Sequence, residues 1–186
     1  MNKVQPIRDK ELISRMKIEL KKRSMRDYLL FALGINIGLR ISDIIKFKVE
    51  TFRYEDKTMK DIIKVIEQKT GKLKRFTLNK GLMAELEEYI KYMGQEEYIF
   101  QSQKGTNQHI DRTTAYRILN SVAEKLGLEE IGTHTLRKTF GYWYYKKTKD
   151  VAMLQELFNH SSPAITLAYI GINDEEQLKA YEDFSL

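Results

Sequence analysis

Apolar positions recur along the whole chain at two different spacings, and the change of spacing divides it. Between Asp9 and Arg23, Leu12, Ile13, Met16 and Leu20 repeat at helical intervals and fall on one face. Ser24 is suited to cap a second helix, whose apolar stretch runs from Tyr28 to Leu33 and stops near Gly38. Ser42 is placed to cap a short third helix carrying Ile44 and Ile45. From Asp61 to Leu78 the pattern becomes strand-like. DIIKVIEQ and KRFTL flank Lys69-Thr70-Gly71-Lys72, which reads as a hairpin turn. Tyr98 to Phe100 predicts a third short strand.

Helical spacing returns over Gly81 to Met93, Asp111 to Leu126, Thr135 to Lys146 and Val151 to Phe158. Ser162 followed by Pro163 is a helix start, with serine as cap and proline in the first turn. Tyr169 falls near the end of that short helix, and Asp174 to Phe184 predicts a terminal one. The expected fold is mainly α with one small antiparallel β-sheet, an α+β arrangement. Glycine and proline number only ten and two, and neither a repeat nor a linker interrupts the chain, so residues 1–186 read as one domain.

Composition adds a direction. Lysine and arginine exceed aspartate and glutamate by 32 to 26, a net charge of +6, which favours a polyanionic partner without excluding an ordinary basic surface. The absence of cysteine excludes disulfides, thiolate chemistry and Cys-ligated zinc. No apolar run approaches the roughly 20 residues that span a bilayer. The N-terminus also lacks the apolar core of a signal peptide, so a cytoplasmic location away from membranes is the expectation.

Four local features carry candidate chemistry, and each alone has an ordinary alternative. Arg40, in GLRISD, sits at the mouth of a helix, where its planar fork of donors suits phosphate oxygens; taken alone it reads more readily as a surface arginine paired with Asp43. Lys69 lies on a turn from which it can reach into a groove and donate a proton, or simply be solvated. His134 and Arg137, three apart, share a helix face and combine charge with proton exchange; the alternative is a cap histidine beside a surface arginine. His160 precedes Tyr169 by nine residues, and with 11 tyrosines in the chain an arbitrary one packs or forms a hydrogen bond. Tyr142, Tyr144 and Tyr145, interleaved with Trp143, read as core and helix surface, and His109 as a surface loop residue. The three histidines lie far apart, without a ligand cluster for a metal.

In combination these features resemble the tyrosine recombinase, or phage integrase, family. Its order of Arg, Lys, His-x-x-Arg, His or Trp, and Tyr is met by Arg40, Lys69, His134, Arg137, His160 and Tyr169, with Asp43 at the family's acidic position three after the first arginine. HTLRKTF is similar to the family's HxLRHTF-like box. LFNHSSPAITLAYI is similar to its LGHSSxxxTxxYx box, with phenylalanine and asparagine where leucine and glycine are usual. The resemblance extends from about Asp9 to Tyr169. It departs from the family in one respect: only about eight residues precede the first helix, so the N-terminal core-binding domain is expected to be absent.

The resemblance implies a site-specific recombinase or integrase. Tyr169 would attack a phosphodiester to form a 3′-phosphotyrosyl link, with the other five residues holding the phosphate and moving protons. It implies no cofactor and no metal. Double-stranded DNA would be the partner, held by phosphate contacts for which Lys72, Lys74, Arg75 and Arg112 are candidates. Self-association, as a tetramer on DNA, would follow, with Leu178, Tyr181 and Phe184 as a docking stripe. The competing expectations are relaxation of DNA in the manner of a type IB topoisomerase, and a non-catalytic DNA-binding regulator on the same fold.

Overall fold

The structure is a computed structural model that describes residues 4–94, 97–129, 131–172, 179, 181 and 182. Two helices form its first layer. Helix α1 (Lys10–Arg23) begins where the Asp9 carboxylate accepts from the Glu11 and Leu12 amides, and it ends on Lys21, Lys22 and Arg23, whose charge suits a helix C-terminus. Ser24 is extended and caps α2 (Met25–Ile37) through the Asp27 amide. Every residue from Asp27 to Gly34 is buried, so α2 is wrapped on all sides, packing on α1 and on later helices. It stops at Gly38, whose left-handed φ of 65° turns the chain towards Arg40.

Two four-residue helices follow, α3 (Ile41–Ile44) and α4 (Val49–Phe52). The expected Ser42 cap is corrected here. Arg40 occupies the cap position and no side chain caps this helix. The segment is held instead by burial of Leu39, Ile41, Ile44 and Ile45. Helix α4 was not anticipated.

Strands β1 (Ile63–Ile66) and β2 (Leu73–Phe76) pair antiparallel, Ile63 opposite Phe76 and Ile66 opposite Leu73, around the expected turn. Ile63 and Val65 face inward and Ile62, Lys64 and Ile66 outward. The third strand expected at Tyr98–Phe100 does not form. Tyr98 makes one isolated bridge to Lys48, while Ile99 and Phe100 are a buried turn.

The remaining helices match their predicted spans closely. They are α5 (Lys80–Tyr92), α6 (Arg112–Lys125), α7 (Thr135–Thr148), α8 (Val151–Phe158) and α9 (Pro163–Ile170), with side-chain caps from Asn79, Asp111, Asp150 and Ser162 on all but α7. Most of the expected terminal helix, with Leu178 and Phe184 of its stripe, lies outside the described residues; Tyr181 is described and exposed. His109 is half-buried against Tyr98 rather than freely exposed.

Two cores result. The larger surrounds α2, and a smaller one, of Tyr142, Leu154, Phe158, Ile170 and Ile172, joins α7, α8 and α9. Among the described residues no helix is long and apolar enough to cross a membrane.

Gly38 and Gly127 provide a paired test. Both have left-handed φ, 65° and 68°, but an added Cβ meets the Phe140 ring at 2.3 Å at Gly38 and nothing within 4 Å at Gly127. Gly127→Ala should cost the backbone penalty alone, about 1–2 kcal/mol. Gly38→Ala should cost measurably more in urea unfolding, and equal costs would show that Phe140 yields freely.

Candidate active site

The six residues singled out from the sequence come from five separate segments: the α2–α3 turn, the hairpin, the start of α7, the loop after α8, and α9. Folding brings them together.

Arg137, on the first turns of α7, is the deepest, only 2% exposed. Its guanidinium donates to the Gly38 carbonyl at 2.8 Å and to the Phe158 carbonyl at 2.9 Å, and lies over the Phe158 ring at 4.4 Å. A guanidinium has five N–H donors, so this anchoring leaves others for a ligand. Arg40 is more accessible, and its Nη1 donates to Glu67 at 2.7 Å. The expected pairing of Arg40 with Asp43 is not made. Asp43 is buried and accepts instead from the Gln68 amide at 3.0 Å, tying the start of α3 to the hairpin beside Lys69.

Lys69 is exposed on the hairpin turn. It lines a cleft of about 380 Å³ with Arg40, Ser42, Gln68, Arg112 and His134. The hairpin is latched to the end of α8: Lys72 bonds the Asn159 side chain, and Lys74 donates to the Glu156 and Leu157 carbonyls at 3.2 and 3.0 Å. Two of the lysines considered for DNA contact are thus engaged within the chain.

Tyr169 stands half-buried near the end of α9, 3.4 Å from His134 Nδ1. Its ring packs edge-on against Phe158 and His160, at centroid distances of 5.5 and 5.1 Å, and beneath the Lys138 ammonium at 5.0 Å. Burial raises its pKa, and the charges of Arg137 and Arg40 work against that rise. The phenol is therefore protonated at neutral pH and needs a base to become a nucleophile.

His134 is suited to that part. Loss of water on its packed side, then the charges of Arg112, Arg137, Lys138 and Arg40, lower its pKa and favour the neutral ring, whose Nδ1 accepts in the tautomer that carries its proton on Nε2. His160 is also lowered, first by burial and then by Arg137 and Arg40. Its Nδ1 lies 3.1 Å from Thr166 Oγ1, which leaves Nε2 for a ligand.

Residues 7–176 match the phage integrase family model. The chain belongs to the phage integrase family. It is 48% identical over 184 residues to the probable integrase/recombinase YoeC of Bacillus subtilis, covering 99% of this chain and 98% of that protein. A tyrosine recombinase of Pseudothermotoga lettingae is 30% identical over 166 residues, which are 88% of this chain but 55% of that protein. Apart from YoeC, the chain spans about half the length of the curated relatives it matches.

The fold agrees. The crystal structure of the XerH recombinase on its palindromic difH substrate superposes with a TM-score of 0.76 at 20% identity, over 98% of this chain and 53% of that one. The mostly helical fold with its two-stranded sheet is that of a tyrosine recombinase catalytic domain.

Sequence reasoning missed Glu67, which is fully buried and in contact with both arginines, at 2.7 Å from Arg40 and 3.6 Å from Arg137. Its one signal was the two-residue spacing from Ile63 and Val65, which is ambiguous because Ile62 and Ile66 make the other face equally apolar.

Both site histidines should titrate below their ordinary value of about 6.5. Between the lowered and ordinary values the unfolded chain holds protons that the folded one does not. Stability from these groups is therefore fully present above about pH 6.5 and is lost as pH falls through the lowered values. Ring-proton NMR across pH 4 to 8 reads this directly, and titration of either ring above 6.5 would contradict it.

Proposed function

We propose that this tyrosine recombinase cleaves and rejoins double-stranded DNA with Tyr169 as nucleophile. The observation that carries the assignment is the approach of the Tyr169 hydroxyl to His134 Nδ1, at 3.4 Å, beside two converging arginines. In the reaction the Tyr169 oxygen attacks phosphorus as its proton passes to Nδ1. The bond from phosphorus to the 5′-oxygen breaks, and that oxygen takes a proton from Lys69, exposed at the edge of the cleft. The products are a 3′-phosphotyrosyl diester and a free 5′-hydroxyl. Because the diester is conserved in the protein link, rejoining by a 5′-hydroxyl needs no added energy source.

Arg40 and Arg137 bind the non-bridging oxygens and neutralise the charge that grows at the pentacoordinate phosphorus. His160 gives one further hydrogen bond. For its neutral ring to donate through Nε2, Thr166 must turn its hydroxyl proton onto Nδ1. The XerH structure, a post-cleavage complex on its palindromic difH substrate, supports the same type of reaction for this fold. Phosphate contacts from Arg75, Arg112 and neighbouring lysines would hold the duplex, and copies of the chain would assemble on it as a tetramer.

Nicked suicide duplexes with a randomised core test the catalytic assignment. Wild-type protein should accumulate a covalent DNA adduct and Tyr169→Phe none; adduct in the variant removes Tyr169 from the role. Arg40→Ala should slow adduct formation by about 10²–10³-fold, equivalent to roughly 2.7–4 kcal/mol of transition-state stabilisation.

Binding to a duplex should weaken steeply with salt, because each neutralised phosphate contributes about −0.9 to the slope of log K against log salt. Fluorescence anisotropy between 50 and 200 mM salt measures it, and a flat response contradicts phosphate-dominated binding.

A further inference from the structure

We infer that Glu67 is a positioning residue of the cleavage reaction, holding Arg40 beside Arg137 so that both guanidiniums face one phosphate. The inference rests on the phosphodiester reaction proposed above, and it concerns a residue outside the six assigned to that reaction.

Glu67 follows β1 directly and is completely buried. Its backbone is fixed by the turn it starts: its amide donates to the Lys72 carbonyl at 3.0 Å, and its carbonyl accepts from the Gly71 amide at 2.8 Å. The two carboxylate oxygens have different partners. Oε2 accepts from the Thr70 hydroxyl at 2.9 Å, a bond internal to the hairpin. Oε1 takes Arg40 at 2.7 Å and has Arg137 at 3.6 Å. One oxygen locks the carboxylate to the hairpin, and the other is shared between the two arginines.

The two arginines depend on it unequally. Arg137 is also fastened by the Gly38 and Phe158 carbonyls and by the Phe158 ring. The side chain of Arg40 is 19% exposed, and Glu67 is its hydrogen-bond partner within the site. Two guanidiniums this close repel one another. Without the carboxylate, Arg40 is the one free to swing towards water. Glu67 also lies two residues before Lys69, so the strand that positions the lysine sets the arginine as well. The carboxylate weakens attraction for a singly charged phosphodiester while fixing the geometry that the more highly charged transition state needs. That combination separates it from a residue that merely supports the fold.

Glu67→Gln keeps the shape and removes the charge. In single-turnover cleavage of a duplex recovered from the randomised suicide library, it should lower the adduct rate at least about tenfold, towards the ~10²-fold that a misplacement of about 1 Å costs. Its Kd for the same duplex should be unchanged or tighter. In an Arg40→Ala background the same substitution should have little further effect on the rate, because Glu67 acts through Arg40. An unchanged rate, a Kd weakened in step with the rate, or an equal loss in the Arg40→Ala background would each overturn the inference.

If Glu67→Gln does not fold, Glu67→Asp retains the charge. A full cleavage rate in that folded variant overturns the inference, and a reduced rate at retained affinity supports it. A DNA-free measurement stands apart from the cleavage reading. Guanidinium NMR should show restricted Arg40 Nη signals in the wild type that average in Glu67→Gln, and no difference would sink the inference. Absence of adduct from wild-type protein would instead count against the proposed function.

Discussion

The site depends on one buried cation. The Arg137 guanidinium cannot sit in the interior unpaired without a cost of several kcal/mol, so the chain has to bring it acceptors. Three chain segments do so: the carbonyl at the end of α2, the carbonyl at the end of α8 and the carboxylate at the end of β1. None of these is near Arg137 in sequence. Meeting at one guanidinium fixes how the α2 layer, the hairpin and the small core of α7, α8 and α9 are placed relative to one another. The same convergence brings Arg40, Lys69, His160 and Tyr169 to one place, because each follows closely on one of those three segments or on the helix packed against it.

Much of this was legible in the sequence, for local reasons. The caps at Ser24 and Ser162 act between neighbouring residues, so the residue types that fit them mark their positions. The hairpin turn was legible because Gly71 takes a positive φ of 65° between two alternating runs. Failures occurred where tertiary contacts decide. Ser42 has the right chemistry for a cap, but the left-handed turn at Gly38 and the buried Leu39 and Ile41 start the helix two residues earlier. Ile99 and Phe100 are apolar because a turn is buried under the core, not because a strand pairs there.

The site shows the same division. The six residue types and their order identified the family, but not which carboxylate each arginine meets. Asp43, three residues from Arg40, is the natural local partner, yet it is spent on the Gln68 amide, and Arg40 reaches 27 residues on to Glu67. β1 obscured that partner. Ile62 and Ile66 make its outward face as apolar as the inward one, so alternation alone does not say on which side Glu67 lies.

The electrostatics give the site a direction. Burial holds the Tyr169 phenol protonated, while two guanidiniums stabilise whatever negative charge appears near it. In the proposed reaction His134, made reluctant to hold a proton by packing and four surrounding cations, would accept one from Tyr169 only as the phenol's oxygen gives up charge to phosphorus. The cations that make a poor base of His134 in the free protein become less unfavourable once a phosphate lies among them, since it offsets their field at the imidazole. Proton acceptance and nucleophilic attack would thereby be coupled to the presence of DNA. As the proposed nucleophile, Tyr169, held protonated among positive charges, would stay inert until the substrate completes the balance.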